Sequence, residues 1–165
     1  MPGVALRILA ADDWATFRAV RLRSLADAPY AFSATLADAQ RRSEAGWREG
    51  LAARVQIVAE EDGAVVGTVG MHGDAQTPGA AEMISMWVAP EARGRGVGEQ
   101  LVRALVAAAR DGGWREVRAW ITEGNDFAER LYARCGFART GEVQAMGPEA
   151  PDRGEFAMAL AVPPP

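Results

Sequence analysis

The order of the predicted elements indicates an α/β (α+β) fold, with a mixed, mostly antiparallel sheet of about seven strands and helices on both faces. Two observations carry this prediction. Short apolar runs of strand length alternate with segments of helical periodicity along the chain. An apolar run at 83–89 ends at Pro90 and leads through a Gly-rich turn into an amphipathic helix. With 165 residues and no repeat or internal linker, the chain fits a single domain spanning 1–165.

The composition argues against several classes of function. The net charge of −4 argues against a nucleic-acid-binding protein, which needs a basic face. No apolar run approaches the ~18 residues of a membrane-spanning helix, and the first residues lack the pattern of a signal peptide. One cysteine and one histidine exclude an internal disulfide and a Cys- or His-rich metal centre. We therefore expect a cytoplasmic protein that uses no metal and binds neither nucleic acid nor membranes.

The first predicted elements are a strand at 5–9 and a helix that starts at Asp12 or Asp13 and runs to about residue 25. The apolar arc of this helix has four side chains: Trp14, Phe17, Leu22 and Leu25. Arg21 falls inside the arc, and Arg18 lies near its centre. An arginine at such a position forms a structural ion pair, extends its head into water, or points into a ligand pocket. These interpretations stay open for Arg21.

A loop with a short helical turn is predicted at 25–40, and a helix at 41–54, with Ser43 as its N-cap and Trp47 facing inward. Strands at 55–60 and 65–72 form a hairpin, because Asp62-Gly63 is a strong turn signal. Residues 73–80 form a second turn before the strand that begins at Glu82.

The stretch Arg93-Gly94-Arg95-Gly96-Val97-Gly98 connects the strand at 83–89 to a helix that runs to Arg110. The first turn of a helix leaves N–H groups unpaired and carries the positive end of the dipole. Glycines let an anion approach these groups closely, and two arginines add positive charge. The stretch predicts a phosphate cradle, most simply for a diphosphate. The alternative is a Gly-rich turn that only starts the helix.

The C-terminal part contains a predicted strand at 117–122, a helix after Asn125, and closing strands at 137–145 and 154–162, with a loop at 146–153. Asn125 suits the N-cap of its helix, and Gly136 suits the left-handed position after the last turn. One face of this helix carries Ala128, Leu131, Tyr132 and Cys135. Because Cys135 faces inward, we expect an inert packed thiol.

Two motifs resemble those of the GCN5-related N-acetyltransferase (GNAT) family. The spacing Arg-x-x-Gly-x-Gly, from Arg93 to Gly98, is similar to the family's pyrophosphate loop, which binds acetyl-coenzyme A. Residues 125–137 are similar to its other signature, Asn-x-x-Ala-x-x-Leu-Tyr-x-x-x-Gly-Phe. The motifs stand in the family's order, and the resemblance covers 65–137 well. It implies a GNAT-like fold in which two central strands splay apart and hold acyl-CoA between them.

The resemblance also implies roles for particular residues. Binding of acetyl-CoA, as a cosubstrate, is assigned to Trp87, Val88, Arg93, Gly94, Arg95, Gly96, Val97, Gly98, Asn125 and Tyr132. Tyr132 is also the catalytic residue that protonates the departing thiolate, and a backbone N–H at Val88 or Trp87 stabilises the oxyanion. Glu82 is the expected catalytic base, with His72 or a water molecule as the alternative.

The implied acceptor is a primary amine, most simply that of a small molecule. Six residues are candidates for contact with it: Arg21, Tyr30, Phe32, Trp47, His72 and Trp120. Trp120 stands where some relatives that acetylate protein N-termini have a glutamate, which favours a small amine here. The alternatives are a protein acetyltransferase for N-terminal or lysine amines and a non-catalytic acyl-CoA sensor. Many relatives pair, so a homodimer is one assembly that the resemblance allows.

Overall fold

One seven-stranded sheet organises the protein in the computed structural model, which describes residues 3–29, 34–147 and 152–165. Its strands are β1 (Ala5–Ile8), β2 (Val55–Glu61), β3 (Ala64–Gly73), β4 (Ala80–Val88), β5 (Glu116–Thr122), β6 (Ala138–Ala145) and β7 (Gly154–Ala161). They lie in the order β1-β2-β3-β4-β5-β7-β6, and every neighbouring pair is antiparallel except β4 with β5. The mixed, mostly antiparallel sheet predicted from the sequence is confirmed.

Helices cover both faces of this sheet, as predicted. The α-helices of the described ranges are α1 (Trp14–Asp27), α2 (Leu36–Arg41), α3 (Glu44–Ala52), α4 (Val97–Asp111) and α5 (Asp126–Arg134). α4 packs against β2, β3, β4 and β5, while α1 contacts β3 and β4. A Cβ atom at Gly67 would lie 2.9 Å from Cδ1 of Leu101, so this glycine lets α4 approach β3 closely. Across the described residues, no helix combines the length and hydropathy that a membrane span requires.

Side chains and turn residues that were identified in the sequence end these elements as expected. The Ser43 hydroxyl accepts a hydrogen bond from the Gly46 N–H at 3.1 Å, and the Asn125 carbonyl accepts one from the Ala128 N–H at 3.2 Å. Gly136, after α5, has a φ of 97°. The β2–β3 turn places Asp62 and Gly63 at φ 51° and 80°, the left-handed pair that a two-residue hairpin requires. These predictions are confirmed.

The helices of the N-terminal part differ from their predicted bounds. The helix predicted at 41–54 is shorter, because Arg41 ends α2 and the extended Ser43 caps α3. α1 continues to Asp27, and its buried residues are Phe17, Val20, Ser24 and Leu25. Trp14 and Leu22, predicted to be part of its apolar arc, are only half-buried. Three arginines in α1 weaken its apolar periodicity, so packing against β3 and β4 decides which face is buried.

The parallel strands β4 and β5 separate half-way along their length. Their pairing runs from Ala80 opposite Glu116 to Met83 opposite Ala119 and ends there, although both strands continue. Past this point β4 has one extra residue relative to β3, and Ser85 has a left-handed φ of 57°. Such a conformation is costly for a residue with a Cβ atom and is found where the fold requires it. The implied splay of the central strands is confirmed.

Candidate active site

The gap between the separated strands opens into a cavity of about 1080 Å³. The exposed edges of β4 and β5 form one part of its wall, and Leu131 and Tyr132 of α5 form another. Side chains from α1, α2, α3, β3, β6, β7 and the connecting loops line the remainder. The volume slightly exceeds the range typical for small-molecule sites, about 300–1,000 Å³. The cavity therefore has room for an extended ligand together with a second, smaller one.

The Gly-rich loop adjoins this cavity, since Arg93 is part of its wall. Gly94 and Gly96 have φ values of 76° and 81°, and a Cβ atom at either would meet nothing within 4 Å. These glycines therefore serve the backbone conformation and leave open space above it. Gly96 is the N-cap of α4, and no side chain caps the helix there. The N–H groups from Val97 onward are thus positioned to bind an anion.

Gly98 has a different role from the other two glycines. A Cβ atom at Gly98 would lie 3.1 Å from Cδ2 of Leu131 and 3.2 Å from Cε of Met86. Both neighbours line the cavity, so Gly98 lets the first turn of α4 pack against α5 and the open edge of β4. Val97 is buried in the core and fixes the other side of this turn.

The two arginines of the loop are bound by carboxylates. Arg93 donates to Asp27 Oδ2 at 2.5 Å and to the Val88 carbonyl at 3.0 Å. Arg95 forms a two-pronged pair with Glu61, with both N–O distances at 2.8 Å. The assignment of these arginines to phosphate binding stays a prediction. In this structure they fix the loop to α1 and to the β2–β3 turn, and the backbone N–H groups add positive potential.

Asp27 links α1 to the open strand as well as to the loop. The Trp87 indole N–H donates to Asp27 Oδ2 at 2.9 Å, beside the Arg93 guanidinium. The hydrogen bond from Trp87, followed by that from Arg93, lowers the pKa of Asp27 and keeps it ionised. The Trp87 side chain is buried, and its ring also lies 5.2 Å from the Arg23 guanidinium carbon. Asp27 was missed at the sequence level, because nothing in its neighbours signals a contact with Trp87 60 residues away.

Tyr132 lies in the wall of the cavity on α5, 6% exposed, with its ring centroid 5.8 Å from that of Phe137. Burial raises the pKa of Tyr132 above its ordinary value, so the hydroxyl keeps its proton at neutral pH. A protonated phenol is a donor and suits a leaving thiolate.

Two further residues of α5 and its cap were predicted to have defined places. Asn125 lines the cavity, and its side-chain carbonyl caps α5. Cys135 is buried, and burial raises its pKa, so it is a packed thiol as predicted.

Glu82 and His72 lie opposite each other on β4 and β3 and both line the cavity. Glu82 Oε2 and His72 Nε2 are 3.8 Å apart. His72 Nδ1 is 2.9 Å from the Gly73 carbonyl and donates to it, which leaves Nε2 on the side of Glu82. Burial, followed by the nearby Asp74 and Glu155, raises the pKa of Glu82, although His72 opposes this shift. A carboxylate with a raised pKa is a stronger base, so the pair suits proton removal.

The candidates for acceptor contact fall into two groups. Arg21, Trp47, His72 and Trp120 all line the cavity, whereas Tyr30 and Phe32 lie outside the described residues. Trp47 packs edge-on against Phe17, with ring centroids 5.4 Å apart. Two lining residues, Arg42 and Arg54, were missed. Both fall within the single helix predicted at 41–54, so only the tertiary packing identifies them.

The cavity thus combines a proton-accepting pair, a buried phenol and an open strand edge, with a helix N-terminus beside it. This combination suits transfer of an acyl group from a long, anionic carrier to a nucleophile bound near Glu82.

Comparison with known proteins gives a consistent result. Residues 19–137 match the model of the acetyltransferase (GNAT) family. The chain is 32% identical over 156 residues to a mycothiol acetyltransferase from Cellulomonas flavigena, covering 89% of this chain and 44% of that protein. It is 33% identical over 96 residues to a phosphinothricin N-acetyltransferase from Alcaligenes faecalis, covering 55% of this chain and 48% of that protein. The chain therefore spans about half the length of these curated relatives.

The fold has a counterpart among solved structures. A GNAT superfamily phosphinothricin acetyltransferase from Sinorhizobium meliloti, in complex with acetyl-CoA, superposes with a TM-score of 0.74 at 22% identity. The match covers 98% of this chain and 89% of that one, so the two share their whole architecture.

Proposed function

The chain belongs to the GNAT family of acetyltransferases, and on that premise we propose that it transfers an acetyl group from acetyl-CoA to the primary amine of a small molecule. One observation carries the proposal: the open edge of β4 shares a single cavity with Glu82 and Tyr132. A base and an acid on the two sides of a reactive edge are what amine acylation by a thioester requires.

The residues beside the cavity fit acetyl-CoA. The uncapped first turn of α4 suits its diphosphate, and the gap between β4 and β5 suits its extended arm. Gly96 leaves the approach to the first-turn N–H groups open. When bound there, acetyl-CoA supplies an activated acyl group. Arg93 and Arg95 are proposed to support this site by holding the loop in position, through Asp27 and Glu61.

Two proton transfers are needed, one from the amine and one to the leaving thiolate, and different residues carry them out. Glu82, assisted by His72, takes the proton from the ammonium group, directly or through water, as the amine nitrogen bonds to the carbonyl carbon. Ala89 N–H bonds to Val66 of β3 at 2.8 Å. Because N–H groups alternate along a strand, this favours Val88 over Trp87 as the donor that faces the gap and the carbonyl oxygen. Tyr132 donates its proton to sulfur as the carbon–sulfur bond breaks.

The kind of acceptor is proposed from the relatives and from the cavity. Relatives over 30% identical carry the names of small-molecule acetyltransferases, for mycothiol and for phosphinothricin. Trp120 is half-buried in the cavity wall, next to the last β4–β5 pair. An aromatic wall of this kind suits a compact amine.

The test is release of the coenzyme A thiol from acetyl-CoA in the presence of a panel of small primary amines. We expect turnover with a subset of the panel and none without an amine. Calorimetry should show that coenzyme A binds far more tightly than pantetheine, which lacks the diphosphate. Tight binding of coenzyme A with no turnover of any small amine or lysine-containing peptide would indicate an acyl-CoA sensor instead. Turnover of the peptide alone would indicate a protein acetyltransferase.

A further inference from the structure

Three arginines from separate parts of the chain line the same end of the cavity. Arg21 lies on α1, Arg42 lies between α2 and α3, and Arg54 follows α3. This group, the arginine cluster, was not apparent in the sequence, because its members are up to 33 positions apart (21 to 54). All three line the cavity that holds Glu82, and the charges of Arg42 and Arg54 act on Arg21.

Arg42 and Arg54 are held in place by contacts that do not neutralise them. The Arg54 guanidinium carbon lies 5.3 Å from the Phe17 ring centroid, and its Nε donates to the Gly50 carbonyl at 3.2 Å. The Arg42 guanidinium lies 5.0 Å from the Trp47 ring centroid. A Cβ atom at Gly50 would be 3.3 Å from Arg42 Nη2, so this glycine makes room for the guanidinium. In the part of the chain that the structure describes, neither Arg42 nor Arg54 forms an ion pair with a carboxylate.

The members of the cluster repel one another. Burial, followed by the charges of Arg54 and Arg42, lowers the pKa of Arg21 to about 10. Burial and the charge of Arg42 also lower the pKa of Arg54. Concentrated positive charge at a partly desolvated site is unfavourable, and a bound anion relieves it. This end of the cavity therefore has the electrostatic character of an anion site.

A neutral donor adjoins the cluster. Trp47 is 1% exposed, and within the described residues its buried indole N–H has no hydrogen-bond acceptor. Buried donors are rarely left without a partner, so an oxygen atom of a ligand would complete this one.

Acidic side chains also line the cavity. Glu82, Asp74 and Glu155 are among them; Asp74 lies 3.6 Å from Arg118, and in the described ranges neither Arg42 nor Arg54 is paired with any of the three. The cavity thus presents positive and negative side chains at separate places in its wall. A molecule with an ammonium group at one end and an oxyanion at the other would match both.

We infer that the acceptor is a primary amine that also carries a carboxylate or a related oxyanion, which the arginine cluster binds while the amine lies near Glu82. This inference rests on the proposed function and narrows it to amino-acid-like substrates. An arginine binds a carboxylate in a two-pronged geometry that fixes orientation as well as charge. The cluster would therefore select the substrate and aim its nitrogen at the reacting carbon.

The experiment compares each amino acid with its own amide, which keeps the amine and removes the anion. A panel of 2-amino acids and of longer ω-amino acids varies the distance between the two groups. For the best substrate, we expect kcat/KM to be at least ~10-fold higher for the acid than for the amide. Arg21→Met and Arg54→Met should each lower this preference by ~10-fold or more, mainly through KM for the acid, with coenzyme A affinity unchanged.

Arg48→Met is the matched control, because Arg48 lies on α3 but pairs with Asp12 and Glu44 outside the cavity, both at 3.0 Å. It should keep the preference for acids. Equal use of acids and amides by the wild type would overturn the inference. So would variants of the cluster that lose both substrates alike, since that is what a structural role predicts. A loss of coenzyme A affinity would assign the cluster to the cofactor instead.

A binding measurement separates this inference from the proposed reaction. N-acetyl amino acids and their amides are titrated into the protein saturated with coenzyme A, which requires no turnover. Tighter binding of the acid, abolished in Arg54→Met, would support the anion site even if acetyl transfer were absent. Equal binding of acid and amide would overturn it even if acetyl transfer were present. If Arg21→Met does not fold, Arg54→Met and Arg42→Met carry the same comparison.

Discussion

The Gly-rich loop and the arginine cluster supply positive potential in different ways. Beside the loop, Arg93 and Arg95 are bound by Asp27 and Glu61, and the positive potential comes from backbone N–H groups at the start of α4. At the arginine cluster, the positive potential comes from side chains in the cavity wall.

This difference separates a general site from a selective one. A loop that binds through its backbone depends on glycines at fixed spacing, which many sequences of a family can share. A site made of side chains from α1 and from the loops on either side of α3 can change one residue at a time. We infer that the loop end sets which cofactor is used, and that the arginine end sets which amine is used.

Tyr132→Phe is expected to have the largest effect on the rate of acetyl transfer. The change removes one oxygen and keeps the packing against Phe137, so coenzyme A affinity should stay the same. Loss of a positioned general acid typically costs ~10²–10⁴ in rate, and we expect kcat to fall by that amount. Steady-state kinetics and calorimetry on the same preparation test both statements. Full activity in this variant would make Tyr132 a core residue and leave thiolate departure to another donor.

Gly96→Val tests whether the backbone of the loop binds the cofactor. Its side chain would occupy the space above the first turn of α4, and we expect coenzyme A affinity to fall by at least ~2 kcal/mol, or roughly 30-fold. Gly113→Val is the matched control at the other end of α4. Gly113 has the same φ of 81° and equally open surroundings, so both variants should lose similar stability. Unchanged affinity in Gly96→Val, measured by calorimetry, would remove the diphosphate assignment.

Glu82→Gln tests, through the pH dependence of kcat/KM, whether Glu82 removes the proton from the amine. The wild-type kcat/KM should fall on the acid side at a pH above the ordinary glutamate pKa, because the pKa of Glu82 is raised. The defect of the variant should shrink as pH rises, since solvent base increasingly supplies neutral amine. Tyr132→Phe should show no such recovery. A Glu82→Gln profile parallel to that of the wild type would transfer the role of base to His72 or water.

The same substitution should have a smaller, opposite effect on stability. A raised carboxyl pKa means that folding favours the protonated form of Glu82. Its stabilising contribution is complete below the unfolded-state pKa and is lost as pH rises through the folded-state pKa. Glu82→Gln should therefore unfold at a higher temperature than the wild type at neutral pH, with no gain in acid. A variant that is less stable at neutral pH would contradict the raised pKa.

The sequence predicted the loop end better than the arginine end, and the reason is physical. Gly96, Gly98, Asn125 and Gly136 act within a few residues of their own position, through caps, left-handed turns and close helix packing. Arg42, Arg54 and Asp27 acquire their roles only when distant elements meet. The sheet followed from local periodicity and turn signals, whereas the buried face of α1 did not, because its arginines obscure the pattern.

The separation of β4 and β5 leaves part of the sheet without hydrogen bonds between these two strands. Beyond Met83 and Ala119 two strand edges face each other without pairing, and α1, α3 and α5 enclose them. Enclosure keeps these edges from templating aggregation, the usual hazard of unpaired strands. An extended ligand in the gap would act as an added strand and complete the structure that the chain leaves open.

A protein completed in this way is more stable with its ligand than without it. At a concentration 100 times Kd, a ligand that binds only the folded state adds about 2.7 kcal/mol to the free energy of unfolding. The survival of the folded protein in a cell would then depend on the supply of acetyl-CoA. The gap in the sheet would connect the amount of folded protein to the abundance of its proposed cosubstrate.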